Sequence, residues 1–389
     1  ASSMEHIITQ INAQTDKVED WSCLPEDPLV SVFMTTYNHG RFIAQALDGI
    51  LMQEVDFSYE IVIGEDKSTD RTREIVCEYQ RKHPAKIRLR LSRENLYSQG
   101  LKPGAAVLYA CRGKYIAFCE GDDYWTDPKK LQKQVAALEA KPEISACYTN
   151  AAVENENGDA QPSVWLGHKG PSSCAPKPEK TYLSQIDIIR NHSIPTCTLL
   201  ARAAPLRRLP PWFFRIPTGD WGFAMILTEN GPVKFMDEIT AVYRRHSGGV
   251  WSVRTSLDTM VDFARRMQIY LPHAPPDVRT ELKKTLSKHL ARLRAHASEV
   301  MAQKLEAEGG WVDFEMDWAE MLSRMARRRM RLDAWVLYFQ KAYFKGDMPC
   351  ARQRLFRLLA RHPEWLFCRG SVGKIWHVIR GGAMVFPET

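Results

Sequence analysis

Three nearly unbroken apolar runs, each followed by a helix-like stretch, constrain this chain more than any single residue does. LVSVFMTTYN (29–38), YEIVIGED (59–66) and KYIAFCEGDD (114–123) are β-rich and apolar almost throughout, and IRLRLS (87–92) is a shorter run of the same kind. GRFIAQALDGILMQ lies after the first, with Phe42, Ala46, Leu47, Ile50 and Leu51 at helical spacing. STDRTREIVCEYQRKHP after the second predicts a capped helix stopped by Pro84. A helical stretch at 104–111 precedes the fourth run, PKKLQKQVAALEAKP predicts another helix, and ISACYTNAAV predicts another strand. A strand tolerates an unbroken apolar run only when both its faces are covered, so the pattern predicts an α/β fold with a mostly parallel sheet flanked by helices. Ligands of such sheets bind beyond the carboxyl ends of the strands. Glu65-Asp66 and Glu120 to Asp123 stand at those ends.

The chain has 389 residues, 44% hydrophobic and 25% charged, a soluble composition whose length suits two domains. No apolar run approaches the ~20 residues that span a bilayer, and no secretory segment opens the sequence. Ala1-Ser2-Ser3 reads as an added remnant before a native start at Met4. Nine scattered cysteines without a CxxC pair read as reduced thiols of a cytosolic protein. Residues 255–389 carry 23 Lys and Arg against 15 Asp and Glu, whereas residues 1–254 carry 30 against 31. That asymmetry assigns two jobs to the two parts. The expected organisation is an N-terminal extension (1–28), a ligand-binding α/β domain (29–254) and an all-helical C-terminal domain (255–389). Two stretches read as irregular: a long Pro/Gly/Ser-rich loop at 155–180 and the segment 209–219. The stretch 342–365 has the texture of one tetratricopeptide-like helical pair, with no second copy.

Four constellations carry chemistry, and each has a plainer reading. EGDDYW offers carboxylates to a hard divalent cation, or is a solvated acidic turn ahead of a helix starting at Asp127-Pro128. In EDKSTD, Asp66 suits a ribose hydroxyl or base N–H, while Ser68 to Arg73 reads as helix capping. Asp220 in TGDWGF is a general base or a simple N-cap. YRRHSGG places Arg244 and His246 for a pyrophosphate or metal, or forms a basic boundary loop.

Their order carries more than any one of them. VSVFMTTYNHGRFIAQALDGILMQ, EDKSTDRT, GKYIAFCEGDDYWTDPKKLQKQ and GDWGFAMILTENGPVKFMDEITAVYRRHSGG follow one another as the motifs of the family 2 glycosyltransferases do. Residues 29–252 resemble that family of GT-A fold. Phe33, Met34 and Thr35 replace its usual isoleucines and proline, Lys67 replaces a glycine, and Glu120 lengthens the first acid of the DxD motif.

The resemblance implies a Rossmann-like GT-A sheet and metal-dependent, inverting transfer from a nucleotide sugar, UDP being the family's commonest nucleotide. It implies that Thr36, Tyr37, Asp66, Glu120, Gly121 and Asp122 hold the nucleotide, and that Asp122, Asp123 and His246 hold Mn²⁺ or Mg²⁺. Asp220 becomes the catalytic base, with Arg244 and Trp221 on the diphosphate and acceptor side. The implied acceptor is a hydroxyl of a growing or lipid-linked glycan, or of a surface polysaccharide. Trp165, Trp212, Trp221 and Trp251 are candidates for stacking on sugar rings. The alternative from another class is a catalytically silent nucleotide-sugar scaffold whose helical tail recruits partners. A sugar-nucleotide pyrophosphorylase would need a Gly-rich GxGTRL-type opening, which is absent. Nucleic-acid binding is not expected, because the basic residues interleave with leucines on amphipathic helices. The helical tail instead suits homodimerisation or contact with an anionic membrane, giving a cytoplasmic protein peripheral at the inner membrane face.

Overall fold

In the computed structural model, residues 4–156, 163–167, 173–191, 193–249, 256–307, 324–345, 347–363 and 365 are described. They form two units, Ala1–Val253 with Ile269–Leu282, and Arg254–Gln268 with Lys283–Thr389.

The first unit opens with α1 (Met4–Ala13) and β1 (Thr15–Val18), then β2 (Val30–Thr36), α2 (Ile43–Leu51), β3 (Tyr59–Glu65), α3 (Thr72–Lys82), β4 (Ile87–Ser92), α4 (Pro103–Ala110) and β5 (Tyr115–Phe118). β4, β3, β2 and β5 lie side by side in that order and all run parallel. The unbroken apolar runs have the predicted cause. Val30, Val32 and Met34 and the β3 residues Ile61 and Ile63 are fully buried. On α2 the predicted stripe arrives as Ile43, Ala46, Leu47 and Ile50, spaced i, i+3, i+4, i+7 and packed in the same core. The strand order reverses beside β2: the chain moves from β2 to β3 and β4 on one side, then crosses to β5 on the other. A crevice at the carboxyl ends follows from that reversal.

The sheet continues through β6 (Tyr124–Trp125), α5 (Lys130–Ala140), β7 (Ala146–Asn155), β8 (Ser163–Gly167), β9 (Ser173–Pro176), β10 (Tyr182–Leu183), α6 (Gln185–Asn191), β11 (Leu200–Arg202), α7 (Gly219–Glu229) and β12 (Val233–Arg245). β11 lies antiparallel between β5 and β7, and β12 runs parallel to β7. β12 slips register between Met236 and Ala241, and beyond that irregularity it also pairs with the short β6 through Ala241 and Val242. This second pairing carries the end of β12 to the acidic turn.

Three expectations need correction. The segment 1–28 is no appendage, because β1 pairs antiparallel with β4 and completes that edge of the sheet. The stretch 155–180 is not simply a loop. β8 pairs with β7 and β9, and Asn150 fixes β8 by accepting from the Leu166 amide (2.8 Å) and donating to its carbonyl (2.7 Å). Its glycines and prolines hid this pairing from periodicity. The boundary at 254/255 also differs, since Ile269–Leu282 belongs to the first unit. Tyr270 explains why: its ring packs on Trp212 and Trp221, and its hydroxyl meets Gln185 (2.7 Å) and Glu229.

The second unit is helical, built from parts of α8 (Ser256–Tyr270) and α9 (Pro276–Ala307), with α10 (Arg324–Phe344) and α11 (Met348–Arg361). Met301, Leu305, Met330, Trp335, Phe339, Leu355 and Leu358 share its core. Among the described residues, no helix is long and apolar enough to cross a membrane.

Away from the crevice, a buried ion network ties the sheet edge together. Glu60 is fully buried, accepting from Ser31 (2.6 Å), Arg88 (3.1 Å) and Arg112 (2.7 Å), while Glu19 joins Arg88 and Arg90. Removing one member of a buried pair strands its partner's charge, which typically costs about 3–5 kcal/mol. Glu60→Ala is therefore expected to lower unfolding free energy by about 3 kcal/mol or more. Denaturant titration followed by tryptophan fluorescence measures it, and an unchanged midpoint would contradict the network's importance.

Candidate active site

The acidic turn is held by extension of the strand ladder. Beyond β5, the Cys119 amide donates to the Phe33 carbonyl (3.1 Å) and the Gly121 amide to the Thr35 carbonyl (3.1 Å). The Asp123 amide then closes the turn on the Glu120 carbonyl (3.2 Å). Glu120, Asp122 and Asp123 are thereby fixed against the end of β2, with one carboxylate oxygen of each inside a set spanning no more than 4.8 Å. At that separation each pair of full negative charges repels by roughly 3–4 kcal/mol for an effective dielectric near 20.

Cationic and neutral partners reduce this repulsion. The Arg244 amide donates to Asp123 (2.9 Å), and the Arg244 guanidinium donates to the Asp122 carbonyl (3.0 Å) while pairing with Glu154 (3.3 Å) and Gln45. Arg244 stacks over Phe42 and Tyr124 as well. It clamps the acidic turn. His246, buried, brings Nε2 to 3.1 Å from Asp122 Oδ2. His39 approaches the same oxygen at 3.6 Å and sets its other ring nitrogen 3.1 Å from Thr36 Oγ1. Asp122 Oδ1 is buried and accepts no hydrogen bond among the described residues.

These contacts separate the acids electrostatically. Burial, reinforced by Asp122 and Asp220, pushes Glu120 up to about 8. Burial, with the charges of Asp122 and Glu120, holds Asp123 well above the usual range. Burial also works to raise Asp122, yet the hydrogen bond with His246 and the charges on His39 and His246 carry it below its ordinary value. Of the three, Asp122 is thus the acid held below its ordinary value. Burial lowers His39 below its ordinary value despite the pull of Asp122.

Asp66 lies one strand over, buried, its carboxylate accepting the Leu96 (2.9 Å) and Tyr97 (3.0 Å) amides. Lys67 adopts φ +60°, the left-handed conformation in which a glycine is unstrained, so the turn keeps its shape despite the substitution. The rest of EDKSTD is structural. Glu65 pairs with Arg73, and Asp70 accepts the Thr72 (2.9 Å) and Gly40 (2.8 Å) amides. Tyr37 is 41% exposed beside the crevice.

Asp220 is exposed in the first turn of α7 and acts on the titration of both Glu120 and Lys102, which places it beside the acidic turn. Lys102 donates to the carbonyls of Phe213 (3.0 Å) and Ile216 (2.6 Å), anchoring the segment before α7. Trp212 and Trp221 are buried against Tyr270. Trp165 donates to Ser193 (3.1 Å) and packs on Tyr243, and Trp251 lies outside the described residues. Sequence reasoning missed His39 and Lys102. His39 carried a signal, an imidazole just past Thr36-Tyr37 at a strand end, whereas Lys102 carried none.

A groove of about 650 Å³ lies at the opposite ends of the strands, lined by Leu29, Arg112, Lys114 and Arg207. Its cations are already paired, Arg112 with Glu60, Lys114 with Glu139 and Arg207 with backbone carbonyls. The chemistry is at the acidic end.

A mostly parallel sheet with a carboxylate–imidazole cluster at its reversal point is an α/β domain of GT-A type. Residues 31–205 match the family model described as glycosyl transferase family 2. An uncharacterized protein of Mycobacterium tuberculosis is 34% identical over 227 residues, 57% of this chain and 60% of that protein's length. The Escherichia coli UDP-Glc:alpha-D-GlcNAc-diphosphoundecaprenol beta-1,3-glucosyltransferase WfgD is 32% identical over 132 residues, 34% of this chain and 49% of that protein. In fold, the chain is similar to Staphylococcus aureus TarS 1-349 in complex with UDP-GlcNAc, with a TM-score of 0.54, 19% identity, and coverage of 82% of this chain and 92% of that one.

Gly121 is the tightest point of the site. A Cβ there would stand 2.4 Å from Thr36 Oγ1 and 2.9 Å from His39 Nδ1. Gly121→Ala must push the turn off β2, and overpacking of this kind costs about 1–3 kcal/mol. We expect a lowered thermal midpoint by scanning calorimetry. A wild-type midpoint would show that the contact is unimportant.

Proposed function

We propose that this protein is an inverting glycosyltransferase that moves a sugar from a nucleotide-diphosphate donor to an acceptor hydroxyl. The observation that carries the reading is Asp122. Its carboxyl is held below its ordinary value, two imidazoles flank it, and one buried oxygen has no hydrogen bond among the described residues, all at the sheet's reversal point. That donor set fits Mn²⁺ or Mg²⁺, with Asp122 and His246 as ligands and Asp123 behind them. Bound there, a divalent cation would act as a Lewis acid on the leaving diphosphate.

The chain's own residues do the rest. Thr36 and Tyr37 border the base and ribose. Asp66 retains acceptor capacity beyond its two amides, because an ionised carboxylate offers about four lone-pair sites. Glu120, protonated below about 8, can donate as well as accept a hydrogen bond at the ribose. Arg244 holds the acidic turn in place from behind. Asp220, exposed at the mouth, takes the acceptor proton as the hydroxyl attacks the anomeric carbon from the face opposite the diphosphate. The configuration inverts and no covalent intermediate forms. UDP is the proposed nucleotide and a lipid-linked glycan the proposed acceptor, by likeness to the Escherichia coli relative. The second unit, with its excess of Lys and Arg, is proposed to meet that acceptor or an anionic membrane surface.

Release of UDP from a panel of nucleotide sugars, with and without Mn²⁺, tests the reading. Absence of turnover with every donor would favour the silent scaffold. Asp220→Asn is expected to leave UDP affinity unchanged and to slow transfer about 10²–10⁴-fold. Transfer at the wild-type rate would remove Asp220 from the role.

A further inference from the structure

The resemblance and the acidic turn account for Asp122 and His246, but not for His39. Its Nε2 faces the same Asp122 Oδ2 as His246 does, at 3.6 Å against 3.1 Å. The two rings stand 6.0 Å apart at 89°, so they approach that oxygen from different directions. Ligand atoms of His39, Asp122 and His246 all lie within 4.8 Å of one another. His39 Nδ1 meets Thr36 Oγ1 at 3.1 Å. Metal-bound histidines ordinarily donate the proton of their second nitrogen in this way, which leaves the first nitrogen's lone pair for the ion.

The loop bearing His39 is built to stay in place. The Asn38 amide donates to Ser68 Oγ (2.9 Å), the Thr69 amide to Asn38 Oδ1 (2.8 Å), and the Gly40 amide to Asp70 (2.8 Å). Asn38 itself takes φ +54° to turn the imidazole inward. Residues that serve no ligand directly, Ser68, Thr69 and Asp70, thereby fix His39 over the acidic turn. The glycine at 121 leaves room for it.

We propose that His39 is a direct metal ligand, so that the cation is held by two imidazoles and one carboxylate: His39, His246 and Asp122. This rests on the metal-dependent reading above and adds to it a selectivity. Two nitrogen donors favour Co²⁺, Zn²⁺ or Mn²⁺ over Mg²⁺, which prefers oxygen and keeps its waters.

The experiment uses the full chain stripped by chelator. Co²⁺ and Mg²⁺ are titrated by calorimetry with and without UDP, and nitrogen ligands of bound Mn²⁺ are counted by electron spin-echo modulation. The expected result is tighter binding of Co²⁺ than of Mg²⁺. His39→Ala should weaken Co²⁺ about 10–100-fold and remove one of two nitrogen couplings. His39→Gln, which keeps a partner for Thr36 but offers no imidazole, should show the same loss and guards against a folding defect. If both variants bind Co²⁺ as wild type does with an unchanged nitrogen signal, while Asp122→Ala binds none, His39 is not a ligand and the metal site stands without it. If wild type binds neither Co²⁺ nor Mn²⁺ even with UDP, the metal reading itself fails and this inference with it.

Discussion

Several carboxylates gathered at one end of a sheet are the constraint to which the first unit answers. Glu120, Asp122 and Asp123 come from one turn, and Asp220 acts on the same turn from α7. Their repulsion is not relieved locally, because no cation lies within the turn itself. Relief comes from β12, which delivers Arg244 and His246, and from the loop after β2, which delivers His39. The register slip in β12 and its second pairing with β6 make that delivery possible. Arg244 holds the backbone and Asp123, while His246 faces Asp122, the acid of the turn held below its ordinary value.

The backbone at the reversal point is correspondingly tight. The ladder of β2 continues past β5 into the turn, and Gly121 sits where any side chain would meet Thr36. Asn38 and Lys67 hold positive φ on neighbouring loops, each a strain of roughly 1–2 kcal/mol for a residue with a Cβ. The hydrogen bonds linking Asn38 to Ser68 and Thr69 offset it. Strain of this sort persists where surrounding structure dictates the conformation.

Much of the fold was legible because burial on both faces writes unbroken apolar strands. Val30 to Met34 and Tyr59 to Ile63 read as strands for that reason, and α2 showed its stripe at the spacing that the core demands. β8 was not legible: its place depends on one side chain, Asn150, and pairing by a distant amide leaves no periodic trace. Nor was the edge position of β1, which draws on ion pairs between Glu19 and arginines about 70 residues away. In the site, acids at strand ends were readable because topology puts strand ends together. What distinguished Asp122 from Glu120 and Asp123 was not readable, since three adjacent carboxyls look alike until their burial and partners are known. Trp212 and Trp221 read as sugar platforms by type, and what the sequence did not show is that both pack on Tyr270.

The separation of Asp122 from His246 along the chain, 124 residues, has a consequence for synthesis. At about 5–20 residues per second a ribosome needs roughly 6–25 s to make that stretch. Throughout that interval the nascent chain carries the acidic turn without the arginine and histidine that balance it. The strand that brings them is the last of the described sheet to emerge. The proposed cation site is therefore a property of the finished sheet, and a chain interrupted before β12 would present the acidic turn without Arg244 and His246.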